Sequence, residues 1–198
     1  IEDSDFDAQL LLALLERGGY DVHHERVETP EALRAALQKD WDIVIADYNL
    51  PQFDALAALE ILKASGKDIP FVIVSGGIGE STAVAAMKAG AHDYLMKGNL
   101  ARLVPVVDRE LREAENRASK RRTENALRDS ELRYRLLWET ATDAVLLLNT
   151  DAIVEFANPA VESIFGYTPE EMVGKDVSVL QPFFSSLDPE INWKQIGR

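Results

Sequence analysis

Two short, uninterrupted apolar runs constrain the fold of this chain more than any other feature. Ile43–Ala46 and Phe71–Val74 contain no polar residue, and most of their members are β-branched. Such a run is typical of a strand buried on both faces of a parallel sheet. Helical patterns precede, separate and follow the two runs, so helical crossovers are expected on both faces. The sequence therefore predicts a doubly wound α/β domain.

The other elements of this domain follow from periodicity, caps and glycines. Helices are predicted over residues 5–18, from Pro30 to about residue 37, and over 56–64 and 82–89. Extended segments are predicted over 20–27, 41–46, 71–74 and 94–96, and the glycines Gly76, Gly77 and Gly79 predict a flexible turn. His23, His24 and His92 are interpreted as structural residues.

Polar side chains follow the predicted strands at the point where each strand ends. Asp47 and Ser75 come directly after the two apolar runs, and Lys97 closes a third short strand. Sites in such sheets form beyond the carboxyl ends of the strands, so we expect these residues on one rim. Glu2 and Asp3 precede the first helix and would complete a cluster of three carboxylates with Asp47.

This cluster predicts a cation site that can take part in phosphoryl chemistry. Like charges at close range oppose one another's ionisation unless a cation intervenes. Ligands that are all oxygen atoms favour a hard ion such as Mg²⁺, which also binds phosphate. A carboxylate can itself attack phosphorus, and Ser75 and Lys97 could then bind the phosphoryl oxygens.

Composition excludes several classes of function. The net charge is −13, which disfavours nucleic acid and anionic membrane surfaces as partners. The chain has no cysteine, which excludes disulfides, thiolate catalysis and cysteine-bound metal. No apolar run approaches the ~18 residues of a membrane span, and we expect a cytoplasmic protein.

From Leu100 onward the pattern changes to a long helix. No Gly or Pro interrupts residues 106–141, and a thin apolar seam of Ala114, Ala118, Leu127 and Leu132 runs through charged sequence. A helix that is polar nearly all round is marginal alone, so pairing with a second copy, as a homodimer, is favoured over a single solvated helix. The basic residues 117–122 are interpreted as a solvated face.

The first part of the chain resembles the receiver domain of two-component response regulators. The matching stretches are Glu2-Asp3-Ser4 and residues 42–51, 71–75 and 91–97. The resemblance implies a flavodoxin-like, five-stranded parallel sheet over residues 1–104. It also implies phosphotransfer to Asp47 from a histidine kinase or a phosphotransfer protein.

The resemblance assigns further roles at the site. Glu2, Asp3 and Asp47, with the backbone carbonyl of Asn49, would hold Mg²⁺. Ser75 and Lys97 would contact the phosphoryl group, and the Asn49 side chain would lie near the water that later hydrolyses it. Tyr94 matches the aromatic residue whose rotamer reports phosphorylation to the surface around the last strand.

Three positions depart from the family pattern. Gly98 follows Lys97 where the family usually has proline after a cis bond. A non-proline cis bond costs ~3 kcal/mol, which disfavours cis here, and whether this bond is cis stays open. Ala55 replaces a common glycine. Only Ile1 represents the family's first strand, so we expect the natural chain to begin earlier than Ile1.

Residues 131–181 resemble the first half of a PAS sensory domain. Residues 145–148 and 153–156 are predicted to form a hairpin, Asn158-Pro159 opens a helix, and Thr168 caps another. We expect a linker helix over 105–133 and an incomplete PAS domain over 134–198. Val177 stands where flavin-binding relatives have their reactive cysteine, so no flavin–cysteinyl adduct can form. The ligand stays open, and a relay without one is favoured.

The combined prediction is a signalling module that accepts a phosphoryl group and is not an enzyme acting on an external substrate. Its output domain would be a histidine kinase or a cyclic-dinucleotide enzyme outside the sequence. Two alternatives stay open. An aspartate-nucleophile phosphatase would need a second acid where Asn49 stands, and a degenerate receiver would serve only for interaction.

Overall fold

The computed structural model describes residues 1–77 and 80–184 of the chain. These residues belong to two compact units, Ile1–Arg121 and Arg122–Arg198. The turn expected at Gly79 and the part of the expected PAS domain after residue 184 lie outside the described residues.

Helices and strands alternate in the first unit. Its helices are α1 (Asp5–Arg17), α2 (Pro30–Ala36), α3 (Ala55–Ala64) and α4 (Glu80–Lys88), and its strands are β1 (Val44–Asp47), β2 (Phe71–Ser75) and β3 (Asp93–Met96). A 3-10 turn over Lys97–Arg102 leads into the long helix α5, Leu103–Thr140. The side chains of Ser4, Thr29 and Asp54 accept hydrogen bonds from backbone N–H groups at the starts of α1, α2 and α3.

The three strands form a parallel sheet in the order β1-β2-β3, with Val44 opposite Phe71 and Val72 opposite Asp93. Every residue of β2 is buried. One face of the sheet packs against a cluster that includes Leu33, Leu37, Ala58, Leu59, Leu62 and Ala86. The other face packs against a cluster that includes Leu11, Leu15, Leu103, Val106 and Val107. The predicted doubly wound, flavodoxin-like α/β fold is confirmed.

The described residues form three parallel strands in this sheet, rather than the five expected. Beside β1, Ile1 N donates to Ile45 O (2.6 Å) and Asp47 N donates to Ile1 O (2.8 Å). Glu2 N then donates to Val27 O (3.2 Å), which ties the segment predicted as extended over 20–27 to the same edge. These few bonds do not form a ladder, so neither segment is a strand.

Helix α5 begins as a core element. Leu103, Val106 and Val107 are buried against the sheet, and Glu110 is also buried. The apolar residues that cover this face of the sheet and the predicted linker helix thus belong to one continuous helix. It begins slightly before the expected linker boundary at residue 105 and continues past the one at 133.

The basic residues on α5 are not a purely solvated face, and that interpretation was wrong for two of them. Arg117 binds Asp68 through two hydrogen bonds, Nε to Oδ2 and Nη2 to Oδ1, each of 3.2 Å. Arg121 also binds Asp68. Asp68 lies in the loop before β2, and these ion pairs lower the pKa of its carboxyl group, chiefly through the hydrogen bond from Arg117.

His92 has the structural role expected of it. Its Nδ1 atom accepts a hydrogen bond from Phe71 N (3.1 Å), which satisfies the first backbone N–H of β2. Its own backbone N donates to Phe71 O (2.8 Å). His92 therefore joins the starts of β2 and β3.

The second unit contains the predicted hairpin. Strands β4 (Leu146–Leu148) and β5 (Val154–Ala157) are antiparallel, with an irregularity at Leu147/Leu148. Helices α6 (Ala160–Phe165) and α7 (Pro169–Met172), a 3-10 turn over Val177–Leu180 and helix α8 (Gln181–Phe184) follow. The core includes Val154, Val161, Met172, Val177 and Leu180. Among the described residues, no helix combines the length and apolarity that crossing a membrane requires.

Candidate functional site

The predicted site residues of the first unit meet at the carboxyl ends of the strands. Asp47 and Ser75 are the last residues of β1 and β2, and Lys97 follows β3 directly. Glu2 and Asp3 lie just before α1, next to β1, because Ile1 is hydrogen-bonded to that strand. The parallel topology thus puts the five residues on one rim.

Three carboxylates on this rim are close enough to share a cation. One oxygen from each of Glu2, Asp3 and Asp47 lies within 4.8 Å of the others. Glu2 is only 4% exposed, whereas Asp3 is open to solvent. A set of oxygen ligands that is open on one side suits Mg²⁺, which keeps several waters and binds through one or two carboxylates and a phosphate. The residues present fit that ion.

Lys97 neutralises part of the cluster. Its ammonium group lies 2.7 Å from Asp47 Oδ2 and 3.0 Å from Glu2 Oε2, and it also contacts Asp7. Burial by itself would lower the pKa of Lys97, but hydrogen bonds to Asp47, Asp7 and Glu2 outweigh it and raise the pKa. Lys97 therefore stays charged at any physiological pH.

Burial has the opposite consequence for Glu2. It raises the pKa of the Glu2 carboxyl group above its ordinary value, although the hydrogen bond from Lys97 works against that rise. Arg26 supports the backbone at this point, since its Nη1 donates to Glu2 O (3.0 Å) and Asp3 O (3.2 Å). The acidic pair is thus held at its backbone as well as through its side chains.

The loop after β1 folds back towards the rim. Asn49 N donates to Asp47 Oδ1 (3.4 Å), and Asn49 pairs with Asp54 in an isolated bridge before α3. The backbone of Asn49 therefore lies next to the Asp47 carboxylate. Peptide bonds throughout the described residues are trans, including the bond between Lys97 and Gly98.

Two buried hydroxyl groups at the site have no hydrogen-bond partner among the described residues. They are Ser75 Oγ and Tyr94 OH. A buried hydroxyl without a partner costs about 1–3 kcal/mol. Such groups in a functional region need an explanation, and an anion that arrives beside Ser75 would supply the missing acceptor.

Sequence reasoning missed two residues that hold the site together. Asp7 binds Lys97 from the first turn of α1, and Arg26 holds the backbone of the acidic pair. A signal for Asp7 was available, because it lies four residues after Asp3 and α1 starts between them, which places it near the same edge. No local pattern indicated Arg26, since its targets lie more than 20 residues away.

Comparison with known proteins agrees with this geometry. Residues 1–108 match the family model of the response regulator receiver domain, and residues 132–189 match that of the PAS fold. The chain is 36% identical over 101 residues to the transcriptional regulatory protein PrrA of Mycobacterium bovis, an alignment that covers 49% of this chain and 42% of PrrA.

Two further relatives agree on the same region. The transcriptional regulatory protein ZraR of Salmonella typhimurium is 35% identical over 97 residues, covering 49% of this chain and 22% of ZraR. The signal receiver domain of a putative Luxo repressor protein from Vibrio parahaemolyticus superposes with a TM-score of 0.53 at 25% identity, covering 59% of this chain and 90% of that domain. The chain spans less than half the length of the two regulators.

A flavodoxin-like sheet with a carboxylate cluster and a lysine on its carboxyl rim defines a phosphoacceptor domain of signalling proteins. The chain belongs to the response regulator receiver family, because the family model matches more than half of its residues. A PAS fold follows the receiver domain, with the long helix α5 between them in sequence. This combination supports a role in two-component signalling.

Proposed function

We propose that the chain is a signalling module in which Asp47 accepts a phosphoryl group. The single observation that carries this proposal is that Asp47 lies 2.7 Å from the Lys97 ammonium group and has an oxygen within 4.8 Å of oxygens of both Glu2 and Asp3. Three carboxylates gathered beside one ammonium group repel one another, which is unusual for aspartates that have only a surface role. This arrangement is what a carboxylate nucleophile towards phosphorus needs.

In the proposed reaction a phosphoryl group moves from an oxygen or nitrogen atom of the donor to a carboxylate oxygen of Asp47. An oxygen of Asp47 forms a bond to phosphorus, and the bond from phosphorus to the donor breaks. The donor keeps that electron pair and takes up a proton, as the imidazole of a phosphohistidine would. Lys97 and Ser75 would bind the phosphoryl oxygens as the negative charge on these oxygens increases.

Glu2, Asp3 and Asp47 would hold Mg²⁺, together with the Asn49 carbonyl. When bound, the ion offsets the negative charge of both the carboxylates and the phosphoryl group. The Asn49 backbone N donates to Asp47, and the Asn49 side chain would lie near the water that removes the phosphoryl group. Asn49 cannot protonate a leaving group, so nothing at the site favours a general phosphatase.

Transmission would use Tyr94 and helix α5. The Tyr94 hydroxyl is buried without a partner among the described residues, and a change of its rotamer upon phosphorylation would give this hydroxyl a different environment. Tyr94 packs on the face of the sheet opposite α5, and the preceding residue of β3, Asp93, is bound by Arg109 of α5, so strand β3 connects the two. A change at the phosphorylation site can therefore bias the packing of β3 and α5.

The remaining expectations form part of the same proposal. The receiver domain would span residues 1–104, the linker helix 105–133 and the PAS domain 134–198. A cytoplasmic histidine kinase or phosphotransfer protein would supply the phosphoryl group, and the output would be a histidine kinase or a cyclic-dinucleotide enzyme. No nucleic acid or membrane partner is proposed, and the PAS ligand stays open.

Pairing of the linker helix with a second copy is also proposed. Leu127, Leu132 and Leu136 on α5 are more than half exposed, and burying them would stabilise a helix that is otherwise polar. Sedimentation equilibrium should give the mass of a dimer. A monomer at every concentration would remove this part of the proposal.

The function is tested by labelling the chain with a small phosphodonor. Incubation with phosphoramidate and Mg²⁺ should add one phosphoryl group per chain, detected by intact mass spectrometry. Chelation of Mg²⁺ with EDTA should prevent the addition, because the repulsion between the carboxylates and the donor is then uncompensated. Labelling that is absent with Mg²⁺, or equally fast in EDTA, would refute the proposal.

A further inference from the structure

Lys97 binds one carboxylate that the proposed phosphotransfer chemistry does not use. Its ammonium group contacts Glu2, Asp47 and also Asp7. An ammonium group has three N–H donors, so the three carboxylates use all of them. Asp7 belongs to neither the acidic pair nor β1, and it needs an explanation of its own.

The three partners of Lys97 differ in what else they can bind. Oxygens of Glu2 and Asp47 lie in the group that gathers within 4.8 Å with Asp3, whereas Asp7 is not a member of that group. A cation bound by Glu2 and Asp47 repels the Lys97 ammonium group and offsets the negative charge of these two carboxylates, so both become weaker partners for Lys97. Asp7 is the carboxylate that remains with the ammonium group.

Asp7 is itself held in place by the helix that carries it. It lies in the first turn of α1, where its backbone N donates to the side chain of the N-cap residue Ser4 (3.2 Å). The helix is fixed to the sheet through the buried residues Leu11 and Leu15. Lys97, in contrast, starts a 3-10 turn and has a flexible four-carbon stem.

We propose that Asp7 is a positioning residue that holds the Lys97 ammonium group towards the phosphoryl position while the other carboxylates bind the cation. This inference rests on the proposed function and deepens it. Without Asp7, Lys97 would return to Glu2 and Asp47, where it competes with the cation and covers an oxygen of the nucleophile. Asp7 would therefore affect the geometry of the reacting groups more than the affinity for the donor.

The experiment measures phosphorylation of the full chain by phosphoramidate at saturating Mg²⁺. Asp7→Asn should lower the rate constant at saturating donor by about 10-fold, because misplaced reacting groups slow the step rather than weaken binding. The donor concentration that gives half the maximal rate should change by less than about twofold. Far-UV circular dichroism and the urea midpoint show whether the variant folds. Serine is also well tolerated at the start of a helix, so Asp7→Ser gives a second measurement.

Asp5→Asn is the matched control. It removes the same charge from the same turn of α1, but Asp5 is mostly exposed and pairs with Arg26 instead of Lys97. Its rate should stay within about twofold of the wild-type rate. Equal losses in the two variants would show that only the charge of the helix start matters, which would overturn the inference.

A double-mutant cycle with Lys97→Met tests whether Asp7 acts through Lys97. In the Lys97→Met background, Asp7→Asn should change the rate by less than about twofold, because the group that it positions is gone. A loss of about 10-fold that persists in that background would overturn the inference. If the wild-type chain itself is not labelled, the proposed function fails instead, so the two failures are distinguishable.

Discussion

Replacement of Asp47 by asparagine should abolish phosphorylation by phosphoramidate, with no labelled chain detectable by intact mass spectrometry. The amide that replaces the carboxylate is a very poor nucleophile towards phosphorus. Asp47→Asn keeps the size of the side chain, so the loss would not come from packing at the end of β1. Among the predicted effects this is the largest, since it removes the reaction rather than slowing it.

The matched control for Asp47 is Asp54→Asn in the loop that follows. Asp54 is the N-cap of α3, where asparagine is an equally good cap, and Ala57 N can still donate to the new side chain. Asp54→Asn should be labelled like the wild-type chain. If Asp47→Asn is labelled at a normal rate, the phosphoryl group is on another residue and the assignment of Asp47 is wrong.

Replacement of Arg109 by methionine should destabilise the first unit by about 2–3 kcal/mol. Arg109 donates from Nε (3.0 Å) and Nη2 (2.7 Å) to Glu110 Oε1, and its Nη2 also binds Asp93. Glu110 is only 3% exposed. Removing one partner of a buried ion pair leaves a charge that is neither solvated nor paired, at a cost of about 3–5 kcal/mol. The partial exposure of Arg109 places the expected loss below that range.

Native-state hydrogen exchange of the β2 amides measures this loss, because β2 is the central, fully buried strand. Arg112→Met is the matched control. It makes the same substitution one turn later at an exposed position of α5 and should leave β2 protection unchanged. The double variant Arg109→Met/Glu110→Leu should recover part of the stability. Unchanged protection of the β2 amides in Arg109→Met would show that the buried Glu110 carboxylate does not need Arg109 as its partner.

The sequence predicted the rim well, because a few local rules place it. Buried apolar runs locate the strands, and parallel topology then brings Asp47, Ser75 and Lys97 to the same edge without any knowledge of their contacts. The position of Glu2 and Asp3 directly before the first helix was enough to predict that they lie on the same rim. These residues lie close together because the topology of the sheet brings the ends of their elements to one edge.

Contacts that depend on which side chains meet could not be predicted in the same way. A glutamate at position 110 in a charged helix reads as a solvated residue, yet Glu110 is buried with Arg109. Arg117 and Arg121 read as solvated because their partner, Asp68, lies about 50 residues earlier. The described residues form three parallel strands where five were expected. A strand requires a ladder of hydrogen bonds to a neighbour, which the pattern of a single segment cannot show.

The attachment of α5 to Asp68 should make the length of helix that is fixed to the receiver domain depend on ionic strength. The first turns of the helix are held by buried apolar side chains, which electrolytes hardly weaken, whereas Arg117 and Arg121 depend on partly exposed ion pairs. Dissolved salt at about 1 M shortens the range of electrostatic attraction to about 3 Å. Helix α5 would then stay packed at Val106 and Val107 but loosen about three to four turns later. The length of α5 that moves with the receiver domain should therefore shorten as ionic strength rises.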